Sequence, residues 1–337
     1  MNGTTLRSPG LGRNNELFWK TVFFVGLFAT LGGLYWATLQ VDYVWRWERI
    51  PNYFYYEDEM DVTSTIEGHI SSIKETGKKA LIVVTGEENE SEQYEVPMDG
   101  LRVYQGDTIF VGDTLGVVKE WKIGVITKGL IITLKVSAIA IVFGIILGLA
   151  TGLARISQNP ALRLSAITYI ELIRGTPLLV QMFIWYFVLG TLVNNLLAKY
   201  DIGQIEPLWF GIASLAIFAG AYVAEIVRAG IQSVHRGQME AARSLGMNKS
   251  RAMIHIILPQ AFRRILPPLA GQFISMIKDS SLLGVIAIRE LTKATREAVS
   301  TSLQPFELWF ICALLYLVLT FAFSMFVQYL EKRMVQR

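Results

Sequence analysis

Apolar positions gather into six long runs, Leu17–Leu39, Ile123–Leu153, Leu164–Val193, Leu208–Ile231, Leu266–Ile288 and Leu308–Leu330, with polar segments between them. A bilayer core about 30 Å thick is crossed by about 20 apolar residues of helix, so each run predicts a transmembrane helix. The runs at 123–153 and 164–193 exceed that length, which predicts tilt or protruding ends. Trp209 and Trp309 begin two runs, and Trp36 and Tyr43 close the first, as interfacial aromatics do. Arg7, Arg13 and Lys20 flank the start of the first run. Its apolar stretch is longer than a signal-peptide core and no A-x-A site follows, so it reads as an uncleaved signal anchor.

Residues 41–122 follow a different rhythm. Short β-prone runs, Ile70–Ile73, Ala80–Thr85, Tyr94–Pro97, Thr108–Val111 and Thr114–Val118, alternate with turn residues such as Thr76-Gly77 and Gly106-Asp107. Seventeen acidic residues stand against eight basic ones there, a net charge of −9. Within it, Val103-x-x-Gly106-Asp107-x-Ile109-x-x-Gly112-Asp113-x-Leu115 sets two Gly-Asp turns around inward-facing apolar positions. That hairpin resembles the lipoyl-like barrel of membrane-fusion adaptors. No lysine occupies a tip, so no lipoyl attachment is implied. The chain thus divides into a cytoplasmic tail and anchor (1–40), a small β-rich domain (41–122) and a five-span helical core (123–337).

Lysine and arginine placement orients it. The segment 232–265 carries Arg236, Arg243, Lys249, Arg251, Arg263 and Arg264, and the C-terminus adds Lys332, Arg333 and Arg337. The segment 194–207 has only Lys199. Both termini and the 232–265 loop are therefore expected in the cytoplasm, with 41–122 outside. The segment 289–307 is a mild conflict, since it holds Arg289, Lys293 and Arg296 on the outer side.

Composition agrees with a membrane protein. Of 337 residues, 52% are hydrophobic and 18% charged, below the quarter or so usual in soluble domains. A net charge of +3 without a basic tract argues against nucleic-acid binding. The sole cysteine, Cys312, lies in an apolar run and reads as small filler. The three histidines are scattered, so no metal site is expected. No H-E-x-x-H or G-x-S-x-G motif occurs, and no catalytic residue is expected in this chain. No G-x-x-x-x-G-K-[ST] loop occurs either, so ATP hydrolysis by that machinery would belong to a separate polypeptide.

The most specific pattern lies in the 232–265 loop: Gln238, then Glu240-Ala241-Ala242, Gly246, Ile256 and Leu258-Pro259. Residues 238–245 are short and rich in helix formers, with Ala241 and Leu245 on one face at i, i+4. Alanines allow another surface to approach closely. Gly246 suits the position just past a helix end, and Pro259 interrupts a regular helix. An ordinary amphipathic loop helix would explain an isolated E-A-A, but not the whole spacing. This resembles the EAA signature of permeases in ABC (ATP-binding cassette) importers. The runs Glu171–Gln181, Tyr222–Ile231 and Lys278-Asp279-Ser280-Ser281-Leu282 resemble the polar amino acid permease branch. The resemblance covers about 123–337 and implies the type I importer permease fold, a five-span core, with the EAA segment as the helix that couples to the ATPase. It also implies a second permease chain, an ATPase dimer holding ATP and magnesium, and an extracytoplasmic substrate-binding protein. The anchor and the β domain depart from that compact core.

Charges inside the spans are the other candidates. Lys278 and Asp279, followed by Ser280 and Ser281, are expected near the middle of the fifth span, where a charge costs several kcal/mol unless paired or hydrated. Facing a zwitterionic solute and forming a structural ion pair both fit. Glu225 is a further pathway candidate, although a local pair with Arg228 at i, i+3 explains it more simply. Glu171 and Arg174 repeat the spacing, and Pro177 is expected to kink the third span. Pro267-Pro268 is expected to open the fifth. A rival class is a membrane-anchored adaptor or sensor whose β domain binds a partner. Five further spans and a coupling signature exceed what an anchor needs.

Overall fold

The computed structural model describes residues 13–41, 43–86 and 90–335, the side chains of 13–16 and 330–335 aside. Two units divide the chain, Met1–Trp47 and Glu48–Arg337. In the first, helix α1 (Arg13–Gln40) presents exposed Leu, Phe and Trp side chains all round, as a lone membrane helix must. Its end carries an aromatic group, with Tyr35 stacked on Trp45 and the Trp45 indole donating to Thr38 Oγ1 at 3.2 Å.

The second unit begins with α2 (Ile50–Phe54) and six strands, β1 (Tyr55–Thr63), β2 (Gly68–Thr76), β3 (Lys79–Thr85), β4 (Ser91–Pro97), β5 (Thr108–Ile109) and β6 (Thr114–Ile123). Two sheets form among the described residues, an antiparallel β1-β6 ribbon and a sheet of order β4-β3-β2-β5, in place of one closed barrel. Ile70, Ile82, Val84, Val96, Ile109 and Leu115 fill the space between them. β1 escapes the sequence pattern because it reads Tyr-Tyr-Glu-Asp-Glu-Met-Asp-Val-Thr, acidic where a strand is usually apolar. It forms because β6 supplies its partner, register Tyr55↔Ile123 through Val62↔Gly116. The run expected over Thr108–Val111 stops at Ile109. Phe110–Asp113 turns instead, with Gly112 at φ +94° and the Asp113 carboxylate accepting from the Phe110 amide at 2.8 Å. The twin turn has Gly106 at φ +96° and Asp107 accepting from the Tyr104 amide at 2.8 Å.

The core consists of α3 (Val125–Arg155), α4 (Pro160–Arg174), α5 (Leu178–Phe183) running through a π turn into α6 (Gly190–Ala198), and α7 (Pro207–Gln232). Short α8 (Arg236–Ser244) and α9 (Lys249–Ala252) follow, then a π turn (Met253–Ile257), α10 (Leu258–Asp279), α11 (Leu291–Ser302) and α12 (Pro305–Val335). Helices α3 and α7 pack through Gly144, Gly148 and Gly152, one per turn. A methyl group on Gly148 would lie 2.4 Å from the Val223 side chain, so only glycine allows this approach.

Among the described residues five helices are long and apolar enough to cross a membrane, and a bent pair, Lys249–Ile286 and Leu291–Ser302 at 50°, makes up to six if it counts as one span. Two expectations are corrected. The run 164–193 is not one helix. It breaks at Gly175-Thr176-Pro177, because Pro177 (ψ 137°) takes extended geometry and has no amide to continue the ladder. The Gln181 amide sews the break by donating to the Ile173 and Thr176 carbonyls at 2.7 and 3.1 Å. Nor does the fifth span open at Pro267-Pro268. Both prolines lie inside α10, and the α-helix gives way at Asp279 to a 3-10 turn (Ser280–Ile286) that ends on left-handed Ala287. Lys278 and Asp279 therefore stand at a helix end, not in the middle of a helix.

Candidate functional site

Three places carry the candidate residues. The first is α8. His235 caps its start, its Nδ1 accepting from the Gly237 amide at 3.1 Å. At the other end Gly246 takes φ +86°, its amide donating to the Arg243 carbonyl at 3.0 Å and the Met247 amide to Ala242 at 3.1 Å. This pair of bonds is the Schellman ending that a left-handed glycine completes. One side of α8 is anchored: Ala242 is buried, and Met239 packs against the cluster that holds Ile231, Val234 and Ile257. The rest of its surface is open, apart from the Gln238 side-chain oxygen, which accepts from the Gln260 amide at 3.2 Å. Gln238, Glu240 and Ala241 are exposed, and Leu245 is 84% exposed. Pro259 sits exposed in the first turn of α10, just after the π turn that replaces regular helix.

The second place is a carboxylate hub. Glu225 on α7 accepts from Arg155 of α3, and from Arg228 at 2.7 and 3.1 Å, while Arg174 of α4 approaches to 3.9 Å. The local Glu225–Arg228 pair is present, as expected. The expected Glu171–Arg174 pair is not. Arg174 turns to Glu225 and lies 5.2 Å from the Tyr222 ring centroid, while Glu171 lies 4.0 Å from Arg155. The reason is tertiary: α3 and α4 bring guanidiniums to Glu225 from distant parts of the chain. Arg155 is not legible as a partner from spacing, since it lies 70 positions from Glu225 in the chain.

The third place is the end of α10. Lys278 is exposed and Asp279 partly so, and no hydrogen bond or salt bridge joins either to another side chain among the described residues. The structural ion pair considered for them is not formed among the described residues. Ser280 is fully buried and donates to the Ile277 carbonyl at 2.8 Å, whereas Ser281 is partly exposed on the 3-10 turn. Among the described residues no cluster of His, Cys, Asp and Glu is arranged to hold a metal ion.

Five membrane-length helices and a further bent pair among the described residues are the architecture of a polytopic membrane protein. Residues 140–336 match the family model described as the binding-protein-dependent transport system inner membrane component, and the chain belongs to that family. It is a multi-pass membrane permease of an importer. A probable glutamine ABC transporter permease protein of Bacillus subtilis is 43% identical over 202 residues, 60% of this chain and 89% of its own. The glutamine transport system permease protein of Escherichia coli K12 is 36% identical over 212 residues, 63% of this chain and 94% of its own. A solved amino acid ABC transporter with histidines is 42% identical, with a TM-score of 0.55, over 62% of this chain and 94% of its own. A methionine ABC transporter in an inward-facing conformation shares the fold at 17% identity and a TM-score of 0.52, over 62% of this chain and 95% of its own. Helix α1 and the β sheets precede the matched residues. The family assignment sets the adaptor reading aside.

Proposed function

We propose that this permease carries polar amino acids into the cell. Two such chains would form the pathway, with an ATPase dimer holding ATP and magnesium beneath them and an extracytoplasmic binding protein delivering the solute. The observation that carries the coupling half of this reading is α8, pinned by Ala242 and closed by Gly246, with Gln238, Ala241 and Leu245 offered outward. Exposed Leu245, on the same helix face as Ala241, offers such a partner an apolar contact. Glu240, Leu258 and Pro259 complete the coupling segment.

The solute half rests on chemistry and on the relatives' names. An amino acid presents a carboxylate and an ammonium, and Lys278 and Asp279 offer the complementary pair without partners of their own. Ser280 and Ser281 shape the turn beside them, and Glu225 with its arginines borders the inner end of the pathway. Both termini and 232–265 lie in the cytoplasm in this reading, with the β sheets outside. The domain division at 40 and 122 and the lipoyl-like character of the β segment belong to the same proposal.

The test is reconstitution. The permease is co-expressed with its neighbouring ATPase and binding protein, purified, and placed in proteoliposomes. ATP-dependent uptake of at least one of the twenty amino acids is expected, and uptake of none would reject the solute class. Failure of the ATPase to co-purify would reject the coupling role.

A further inference from the structure

Helix α10 buries Ala261, Ile265, Met276 and Ile277 against the core. A polar sector remains uncovered. Successive residues turn by about 100°, so Gly271 and Lys278 share a direction, Gln272 and Asp279 share the next, and Ser275 lies between. Gly271 and Lys278 are exposed, and Gln272, Ser275 and Asp279 partly exposed. Among the described residues none of these four polar side chains has a hydrogen bond or salt bridge from elsewhere in the chain.

Such a sector cannot face hydrocarbon, where every unsatisfied polar group costs several kcal/mol. Gly271 adds an independent observation. A methyl group there would meet nothing within 4 Å, so no packing among the described residues requires glycine. Glycine inside a helix costs about 1 kcal/mol against alanine, and here it leaves the backbone bare beside the polar side chains. Charge chooses the occupant: adjacent Lys278 and Asp279 complement a zwitterion. Ser275 lies about 5 Å and Gln272 about 9 Å further along the axis, from the helix rise.

We propose that Ser275 and Gln272, on the bare flank at Gly271, contact the polar side chain of the carried amino acid while Lys278 and Asp279 hold its charged groups. This rests on the amino acid reading above. Gln272 offers both an amide donor and an acceptor, so it would discriminate amide from carboxylate and from apolar side chains.

The experiment uses the full complex in proteoliposomes. Wild-type uptake of each of the twenty amino acids is measured first. If none is carried, the underlying reading fails and the proposal falls with it. If one is carried, Ser275→Cys in a Cys312→Ala background is treated with a small water-soluble methanethiosulfonate. Labelling that the carried amino acid suppresses is expected. A thiol that does not label, or labels equally with and without the amino acid, overturns the proposal while leaving the reading intact. A disulfide between two copies at position 275 also overturns it, by assigning the sector to the second chain. Gln272→Ala, made with Cys312 in place, is the second arm. Its half-saturation concentration should rise about tenfold, the value of one hydrogen bond, with a changed ranking of amino acids. An unchanged ranking overturns the proposal independently.

Discussion

The hydroxyl of Tyr53 lies 3.3 Å from Oε1 of Gln304, joining residues 251 positions apart. Around that bond, Ile50, Tyr53 and Phe54 of α2 pack on Ala298, Val299, Leu308 and Ile311 of α11 and α12. The Phe54 carbonyl accepts from the Gly124 amide at 2.7 Å and the Thr127 hydroxyl at 3.0 Å. The base of the β1-β6 ribbon is thereby seated on the helical core.

Gly124 is the tightest point of that seat. A methyl group there would stand 2.2 Å from the Tyr53 carbonyl oxygen and 2.8 Å from the Phe54 amide nitrogen, both backbone atoms that cannot rotate away. Gly124→Ala should loosen the ribbon by about 1–3 kcal/mol, as overpacking does. Hydrogen exchange across Tyr55–Thr63 should accelerate, while exchange in α3 and α7 stays slow. Unchanged exchange in the ribbon would show that the seat has slack.

At Gly246 nothing lies within 4 Å of an added side chain, so a substitution there is felt through backbone conformation alone. Gly246→Val should cost about 1–2 kcal/mol locally by disfavouring φ +86°. Asparagine tolerates that region better. Uptake and stimulated ATPase activity should fall in Gly246→Val and persist in Gly246→Asn, with both variants reaching the membrane. Equal activity in the two would remove the helix ending from the coupling mechanism.

Orientation is tested by labelling. Glu90 and Ser250 are both exposed. In a Cys312→Ala background, Glu90→Cys should react with an impermeant thiol reagent in intact spheroplasts, and Ser250→Cys only after lysis. Reaction at Ser250 in intact spheroplasts would invert the chain and put α8 out of an ATPase's reach.

Lys278→Met and Asp279→Asn delete charge while keeping most of the bulk. With no salt bridge to lose among the described residues, folding should change little. At least one variant should assemble with its ATPase yet show a raised half-saturation concentration or altered selectivity. Normal uptake by both would exclude a solute role. Loss of assembly by both would point to pairing across two copies.

Much was legible along the chain because its cause is local. The six apolar runs are set by bilayer thickness, and the two Gly-Asp turns by glycine's access to positive φ. The end of α8 was legible for the same reason, since Gly246 caps whatever helix precedes it. Other features were not. β1 is too acidic to look like a strand, and β6, which pairs with it, lies 51 residues further on. Spacing alone paired Glu171 with Arg174, and three-dimensional neighbours gave Arg174 to Glu225 instead.

By itself, then, the sequence determined which segments are apolar enough to cross a membrane, where Pro177 and Gly246 interrupt helices, and which loop carries the coupling signature. Each of these depends on residues within a few positions of one another. Only the tertiary structure decided that three arginines converge on Glu225, that Ser280 is buried while Lys278 is not, and that Gln272 and Ser275 stay partly exposed on α10. Burial and partnership are properties of how helices lie against each other, and no periodicity along one helix encodes what stands opposite it.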